Sequence, residues 1–208
     1  LILCTVGILV ASFIMSGTIP ALIYYGLDLL TPKLFLPVGC ILCAVVGLAC
    51  GSSWTTTATI GIAFMGIGAG LGMPVALTAG MIISGAYVGD KFSPLSDTTN
   101  LAAAVSETGL FDHVTAMVST TAPTFVIALV LYTIIGFGYS TTGYDNTVAL
   151  ELQQALAGGY NLNPVLLLPI VVVVVVCVLK LPALPGLAIS VGCGVLFGAV
   201  FQGITNVS

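Results

Sequence analysis

The stretch LLLPIVVVVVVCVL, residues 166–179, constrains this chain more than any other. Valine favours strands in water, but a lone strand in hydrocarbon leaves its backbone N–H and C=O groups unpaired, whereas a helix satisfies them internally. A run this apolar is therefore expected as a helix in lipid. LFLPVGCILCAVVGLAC (34–50) repeats the pattern, broken only by Gly and Pro. The rest of the chain agrees: 59% of its 208 residues are hydrophobic and 5% charged, with a mean hydropathy of +1.24. That leaves too little polar surface for a soluble exterior. The expected class is all-α: a multi-pass integral membrane protein, built as a polytopic transmembrane helical bundle with broken or re-entrant short helices.

At roughly 20 residues per span, the chain has room for about six to eight crossings or partial crossings. Three Lys plus Arg against seven Asp plus Glu cannot make a basic footprint for nucleic acid. They are also too few to orient the chain, although Lys33 and Lys180 fall at candidate span ends. All six cysteines lie in apolar runs. Cys40 and Cys43 form a CxxC without a second pair or a nearby His, so packing is favoured over metal or redox chemistry. Leu1 opens the chain without a basic segment and cleavage site, and the sequence reads as a fragment, 1–208 forming a single membrane transport domain.

Along the chain, Ser16, Gly17, Thr18 and Pro20 interrupt the first apolar block, 2–30, where a helix would kink or unwind. After the span at 34–50, GSSWTTT (51–57) and GIGAGLGMP (66–74) bracket a helical piece at about 55–66, roughly 18 Å long and too short to cross alone. A second short helix is expected from Pro74 to Gly89, then the loop GDKFSPLSDTTN (89–100), then a third helix over 98–108 closed by Gly109. Short apolar pieces bounded by Gly, Pro and Ser/Thr mark broken helices, and such breaks survive at membrane depth where they line a cavity. The broken-helix core spans about 51–109.

Beyond it, Asp112 is expected to cap a helix over 113–137, kinked at Pro123, with Thr120, Thr121 and Thr124 bonding the freed carbonyls. A polar surface stretch at about 139–163 carries Tyr139, Tyr144 and Tyr160 as interface anchors. It holds a short surface helix with Val148, Leu152, Ala155 and Leu156 on one face. Two spans follow, about 163–180 and 184–202, joined by the LPALPG turn.

The chemistry concentrates in GDKFSPLSDTTN. A carboxylate at the bilayer centre costs about 2.5–3.5 kcal/mol on insertion scales, so Asp90 and Asp97 there require a partner or a function. One reading is plain: Ser96 or Asp97 caps the helix at 98, and Asp90 pairs with Lys91 in water. The other joins Asp97 and Asp90, as sodium ligands, with Ser96, Thr98, Thr99 and Asn100 into a site of hard oxygens. A carboxylate partly withdrawn from water also holds a proton more readily, so one group can carry either ion in turn.

Secondary candidates are Ser53, Thr55 and Thr56 from the SSWTT break, Lys91 as a balancing charge, and Glu107, two turns from Asn100 on the expected helix. His113 reads as a solvated interfacial residue, and Trp54 as a packing or interface aromatic. GIGAGLG lacks the preceding strand of a dinucleotide loop and fits close helix packing or a hairpin tip. YVGD (87–90) departs from the GxGD of intramembrane aspartyl proteases, with Tyr87 in place of the first Gly. No enzymatic site is read here.

GSSWTT, then GAYVGDKFSPLSDTTNLA, then a long helix and LKLPALPG, resemble the NhaC family of sodium/proton antiporters within the ion transporter superfamily. The resemblance runs along essentially the whole chain. It implies part of a longer secondary active transporter in a prokaryotic cell membrane, exchanging sodium for protons by alternating access. It implies no cofactor, sodium being a transported ion, and it leaves the oligomeric state open. Because the family also holds exchangers of organic acids, such as malate for lactate, and carriers of amino acids, a sodium- or proton-coupled exchanger of a small organic anion or amino acid is the alternative.

Overall fold

A computed structural model describes residues 2–141, 146–179 and 183–203. The described residues fold into helices and connecting turns, with no strand among them. In chain order the helices are α1 (Ile2–Met15), α2 (Thr18–Leu29), α3 (Pro32–Cys50), α4 (Ser53–Thr56), α5 (Ile62–Gly70), α6 (Val75–Phe92), α7 (Asp97–Val105), α8 (Leu110–Thr141), α9 (Asn146–Gly159), α10 (Leu168–Val178) and α11 (Ala183–Phe201). A π-helical stretch, Thr57–Gly61, joins α4 to α5, and a 3₁₀ turn, Pro164–Leu167, leads into α10. By length and composition, Pro32–Cys50 and Leu110–Tyr139 can each cross a membrane alone. Two bent pairs add up to two more: Gly7–Met15 with Thr18–Leu29, bent by 69°, and Ala149–Gly159 with Pro164–Val176, bent by 99°. The protein is an integral membrane helix bundle.

The chain divides into two compact units. The first gathers Leu1–Leu30, Ala58–Gly72 and Asp145–Ser208. Leu9, Phe13, Ile19, Ala63, Val173 and Leu187 form its buried core. The expected interruption of the first block falls at Ser16 and Gly17, where Gly17 takes φ 80°, open to glycine without a Cβ penalty. Gly66 and Gly70 of α5 face Ile23 and Leu27 of α2, so the first five residues of GIGAGLG serve close packing, and the helix ends within the motif at Gly70, with Gly72 at φ 68° in the turn that follows. On α9, Ala149, Leu152, Gln153 and Leu156 turn inward while Ala155 is exposed. Gln153 Nε2 donates to Tyr24 O (3.2 Å) and to Asp28 Oδ1 (2.8 Å), tying α9 to α2. Tyr144, Lys180 and the start of the LPALPG turn lie outside the described residues, as does the side chain of Val148.

The second unit gathers Thr31–Thr57 and Met73–Tyr144, with α3 packed on α6 and α8. Several boundaries differ from the sequence expectation. Helical residues follow without a gap from Ser53 to Gly70, because the π-helical stretch Thr57–Gly61 takes up the irregularity. α6 extends to Phe92, so Asp90 and Lys91 sit in its last turn, not in a loop. α7 ends at Val105, and Glu107, not Gly109, takes the left-handed position, φ 52°. Thr108 N donates to Ala103 O (3.1 Å) and Glu107 N to Ala104 O (3.2 Å), the paired bonds of a Schellman ending. α8 starts at Leu110, so Asp112 lies inside its first turn. Near Pro123, Thr120 Oγ1 bonds Met117 O (3.0 Å) and Thr124 Oγ1 bonds Thr120 O (3.4 Å), each a short step back along the same helix.

Candidate functional site

The site begins with three glycines. Lipid tails give apolar helices little reason to associate, so close approach through small residues has to hold them. On α6, Gly85 and Gly89 stand at GxxxG spacing, and on α3 Gly47 faces them. A Cβ on Gly85 would strike Cys40 O and lie 2.8 Å from Cys43 Cβ; on Gly89 it would strike Ala44 O; on Gly47 it would lie 2.7 Å from Ala86 O. Backbone therefore meets backbone along this seam. Cys40 and Cys43 are buried within it as packing groups.

Asp90 follows Gly89 directly, and its N–H lies 3.3 Å from where a Cβ on Gly47 would be. It is 9% exposed, and its Oδ1 is buried without a hydrogen-bond partner. The next residue, Lys91, is exposed, about 100° further round the helix. A buried polar atom normally has a partner, and a charged one left alone is costly. An oxygen so placed has the chemistry to accept a proton or a cation.

The loop after α6 is held against the end of α3. Gly51 caps α3 at φ 62°. A Cβ there would lie 2.8 Å from Leu95 C and 2.9 Å from Ser96 N, so GSSWTT and SPLSDTT meet at this point. Ser96, not Asp97, is the cap of α7: its Oγ accepts from Thr99 N at 3.4 Å and lies 2.9 Å from Thr98 Oγ1. Thr99 Oγ1 donates to Lys91 O (3.3 Å), and Asn100 Nδ2 donates to Pro94 O (2.9 Å) and Ser96 O (2.7 Å). These bonds fold the loop onto itself. Ser93, Ser96 and Thr99 are buried, whereas Asp97, Thr98 and Asn100 are exposed. Asp97 occupies the first turn of α7, where a carboxylate complements the helix dipole.

The SSWTT segment is organised the same way. Ser52 caps α4, its Oγ accepting from Thr55 N (3.3 Å) and from Thr55 Oγ1 (3.2 Å), while Thr56 Oγ1 donates to Ser52 O (2.9 Å). Ser53 and Thr56 are buried. Glu107, beyond the end of α7, is exposed and shares no helical face with Asn100. His113, expected to be solvated, has its Nε2 buried and unpartnered in the first turn of α8.

Between α4 and α6 lies a cavity of about 350 Å³ lined by Ser53, Trp54, Thr57, Ile83 and Tyr87. Sequence reasoning had no role for Ile83 or Tyr87, nor for the Gly47–Gly85–Gly89 seam. The spacing of Gly85 and Gly89 was the available signal. Their partner on α3 was not, because no pattern in a single chain pairs one helix with another.

Residues 85–207, more than half of the chain, match the Na+/H+ antiporter family. The chain belongs to that family. Among its relatives, the malate-2H(+)/Na(+)-lactate antiporter of Bacillus subtilis is 41% identical over 204 residues, 98% of this chain and 44% of its own. The arginine/ornithine antiporter ArcD of Halobacterium salinarum is 46% identical over 200 residues, 95% of this chain and 40% of its own. The Na(+)/H(+) antiporter NhaC of Alkalihalophilus pseudofirmus is 39% identical over 207 residues, 100% of this chain and 44% of its own. This Na+/H+ antiporter family member thus spans less than half the length of these curated relatives. No solved structure matches it significantly.

Proposed function

We propose that the protein exchanges sodium for protons across a prokaryotic cell membrane, as a secondary transporter working by alternating access. One observation carries the reading: the Oδ1 of Asp90, buried at the α3–α6 seam with no hydrogen-bond partner. Sodium is a hard cation that takes carboxylate, hydroxyl and carbonyl oxygens, and a proton binds the same carboxylate. Occupancy by one excludes the other, which couples the two fluxes. Ser53, Thr55, Thr56, Ser96, Thr98, Thr99 and Asn100 furnish hydroxyl, amide and backbone oxygens around the two meeting segments, and Lys91 provides positive charge beside Asp90 when sodium leaves. Asp97 is the outer carboxylate of the proposed site, drawing cations toward it. Sodium and protons are the cargo and lipid the surrounding partner; no cofactor is invoked. The test is sodium-driven proton movement in proteoliposomes. Asp90→Asn is expected to abolish it, and near-normal, still pH-dependent exchange in that variant would overturn the assignment.

The second reading is a sodium- or proton-coupled exchanger of small organic acids or amino acids. It is favoured by the names of the malate/lactate and arginine/ornithine relatives. Counterflow with labelled malate, lactate, arginine and ornithine separates it from plain ion antiport.

A further inference from the structure

The helix that carries Asp90 is held by its two neighbours in different ways. Against α3, the contact of α6 is backbone on backbone through Gly47, Gly85 and Gly89. Glycine contacts fix how near two helices stand, but they offer no knob to fill a hole, so they hold the rotation of α6 about its own axis weakly. Against α8 the contact is directional: Ser84 Oγ and Tyr132 Oη lie 3.0 Å apart, one hydroxyl donating to the other. Both residues are partly buried. One turn after Tyr132, α8 is itself seated on α3, since a Cβ on Gly136 would lie 2.6 Å from Lys33 O. Of these contacts, the Ser84–Tyr132 bond is the one that depends on side-chain angles and can be lost without moving a main chain.

Helical periodicity relates this bond to the carboxylate. At 100° per residue, the Gly85–Gly89 pair, Ser84 and Asp90 point from α6 in three directions about 120° apart. The first meets α3 and the second meets α8. Any rotation of α6 is therefore shared by Ser84 and Asp90. A turn of about 20° carries a group at the helix surface, roughly 5–6 Å from the axis, by about 2 Å. That is close to the whole length of a cation–oxygen contact. Whatever fixes the rotation of α6 thus decides whether the Asp90 carboxylate stands where a cation can use it.

We infer that Tyr132 is a positioning residue: through Ser84 it sets the rotation of α6, and so presents the Asp90 carboxylate to sodium. This rests on the reading of Asp90 as the cation-binding carboxylate, and it adds that a hydroxyl on a different helix tunes the affinity. Removing that hydroxyl leaves the glycine seam intact but releases the angle of α6. Only part of the population then holds Asp90 ready, and the apparent sodium affinity falls by that fraction.

The test compares Tyr132→Phe, Ser84→Ala and the double variant, with sodium titrated into the purified protein and exchange followed in proteoliposomes. Each single variant is expected to weaken sodium binding by about 3- to 20-fold, the range that interhelical hydrogen bonds in membranes span. The KM for sodium should rise by the same factor while kcat stays within about threefold. The double variant should be no worse than either single one, because both remove the same bond. Ser84→Thr, which keeps a hydroxyl at the position, is expected to stay within about twofold of the parent. Unchanged sodium affinity with a lowered thermal midpoint in Tyr132→Phe would mark the bond as packing and overturn the inference. Additive losses in the double variant would overturn it too. If Asp90→Asn abolishes sodium binding while Tyr132→Phe binds normally, the positioning role fails and the ion site stands. If sodium binding survives Asp90→Asn, the ion site fails, and the positioning role falls with it.

Discussion

Each unit of the molecule contains an irregular place where helical hydrogen bonding is interrupted, and the two are finished differently. In the first unit, the bend between α1 and α2 buries Ser12, Ser16 and Thr18, and hydrogen bonds account for each hydroxyl. Ser16 Oγ lies 2.8 Å from Thr18 Oγ1. Gln202 Nε2 reaches Ser16 O (3.2 Å) and Asn161 O (3.2 Å), while its Oε1 accepts from Asn161 N (3.0 Å). In the second unit, Gly51–Ser53 and the 93–96 loop are just as well bonded among their hydroxyls, yet a carboxylate oxygen beside them is buried with no partner. Polarity at a helix break is therefore not itself a sign of function. The first break spends its polar groups on its own backbone; the second keeps one in reserve.

That contrast can be broken most severely at its two carboxylates. Asp90→Asn is expected to cut sodium-driven proton exchange by more than about 100-fold in proteoliposomes, the loss of a charged ligand being worth several kcal/mol. Asp28→Asn, in a residue held by Gln153, should leave exchange within about twofold. Comparable losses in both would erase the distinction.

The seam gives the next effect. Gly89→Ala and Gly85→Ala drive a methyl into the α3 backbone and are expected to destabilise the protein by about 1–3 kcal/mol or more, read as a lower thermal midpoint in detergent. Gly192→Ala, with nothing within 4 Å of the added Cβ, should leave the midpoint unchanged or slightly raised. In the first unit, Gln202→Ala strips the Ser16 carbonyl of its side-chain donor, at an expected cost of about 1–2 kcal/mol in stability with sodium affinity intact. A shift in sodium affinity there would mean that the first break also serves transport.

The smallest effect separates roles for Glu107. As the left-handed residue of the α7 ending, it should gain about 1 kcal/mol on Glu107→Gly with exchange retained. Loss of exchange would restore it as an ion or proton group.

Much of the fold was legible because lipid leaves few options. The apolar runs had to be helical, and Ser16–Gly17 had to interrupt the first of them. The boundaries that moved did so where local signals compete with helix continuation. Small hydroxyl residues at 53–57 looked like a break, yet their side chains bond back to Ser52 and the helix proceeds through a π-helical stretch. Gly89 looked like a terminus, but it is a packing residue, and α6 continues past it. The candidate site was legible as a segment. Its internal order was not: Asp90 and Asp97 look alike in sequence, and only the approach of α3 through Gly47 buries the first while the second stays exposed.

The glycine seam also bears on how such a site could be opened to one side and then the other. Side chains interposed between helices can change rotamer and absorb a displacement, like a compliant gasket. Where Gly47, Gly85 and Gly89 bring main chain onto main chain, that slack is missing. A shift of α3 is passed to the last turn of α6 nearly undiminished, so Asp90 changes its surroundings when a whole helix moves, with little contribution from side-chain rearrangement at the contact.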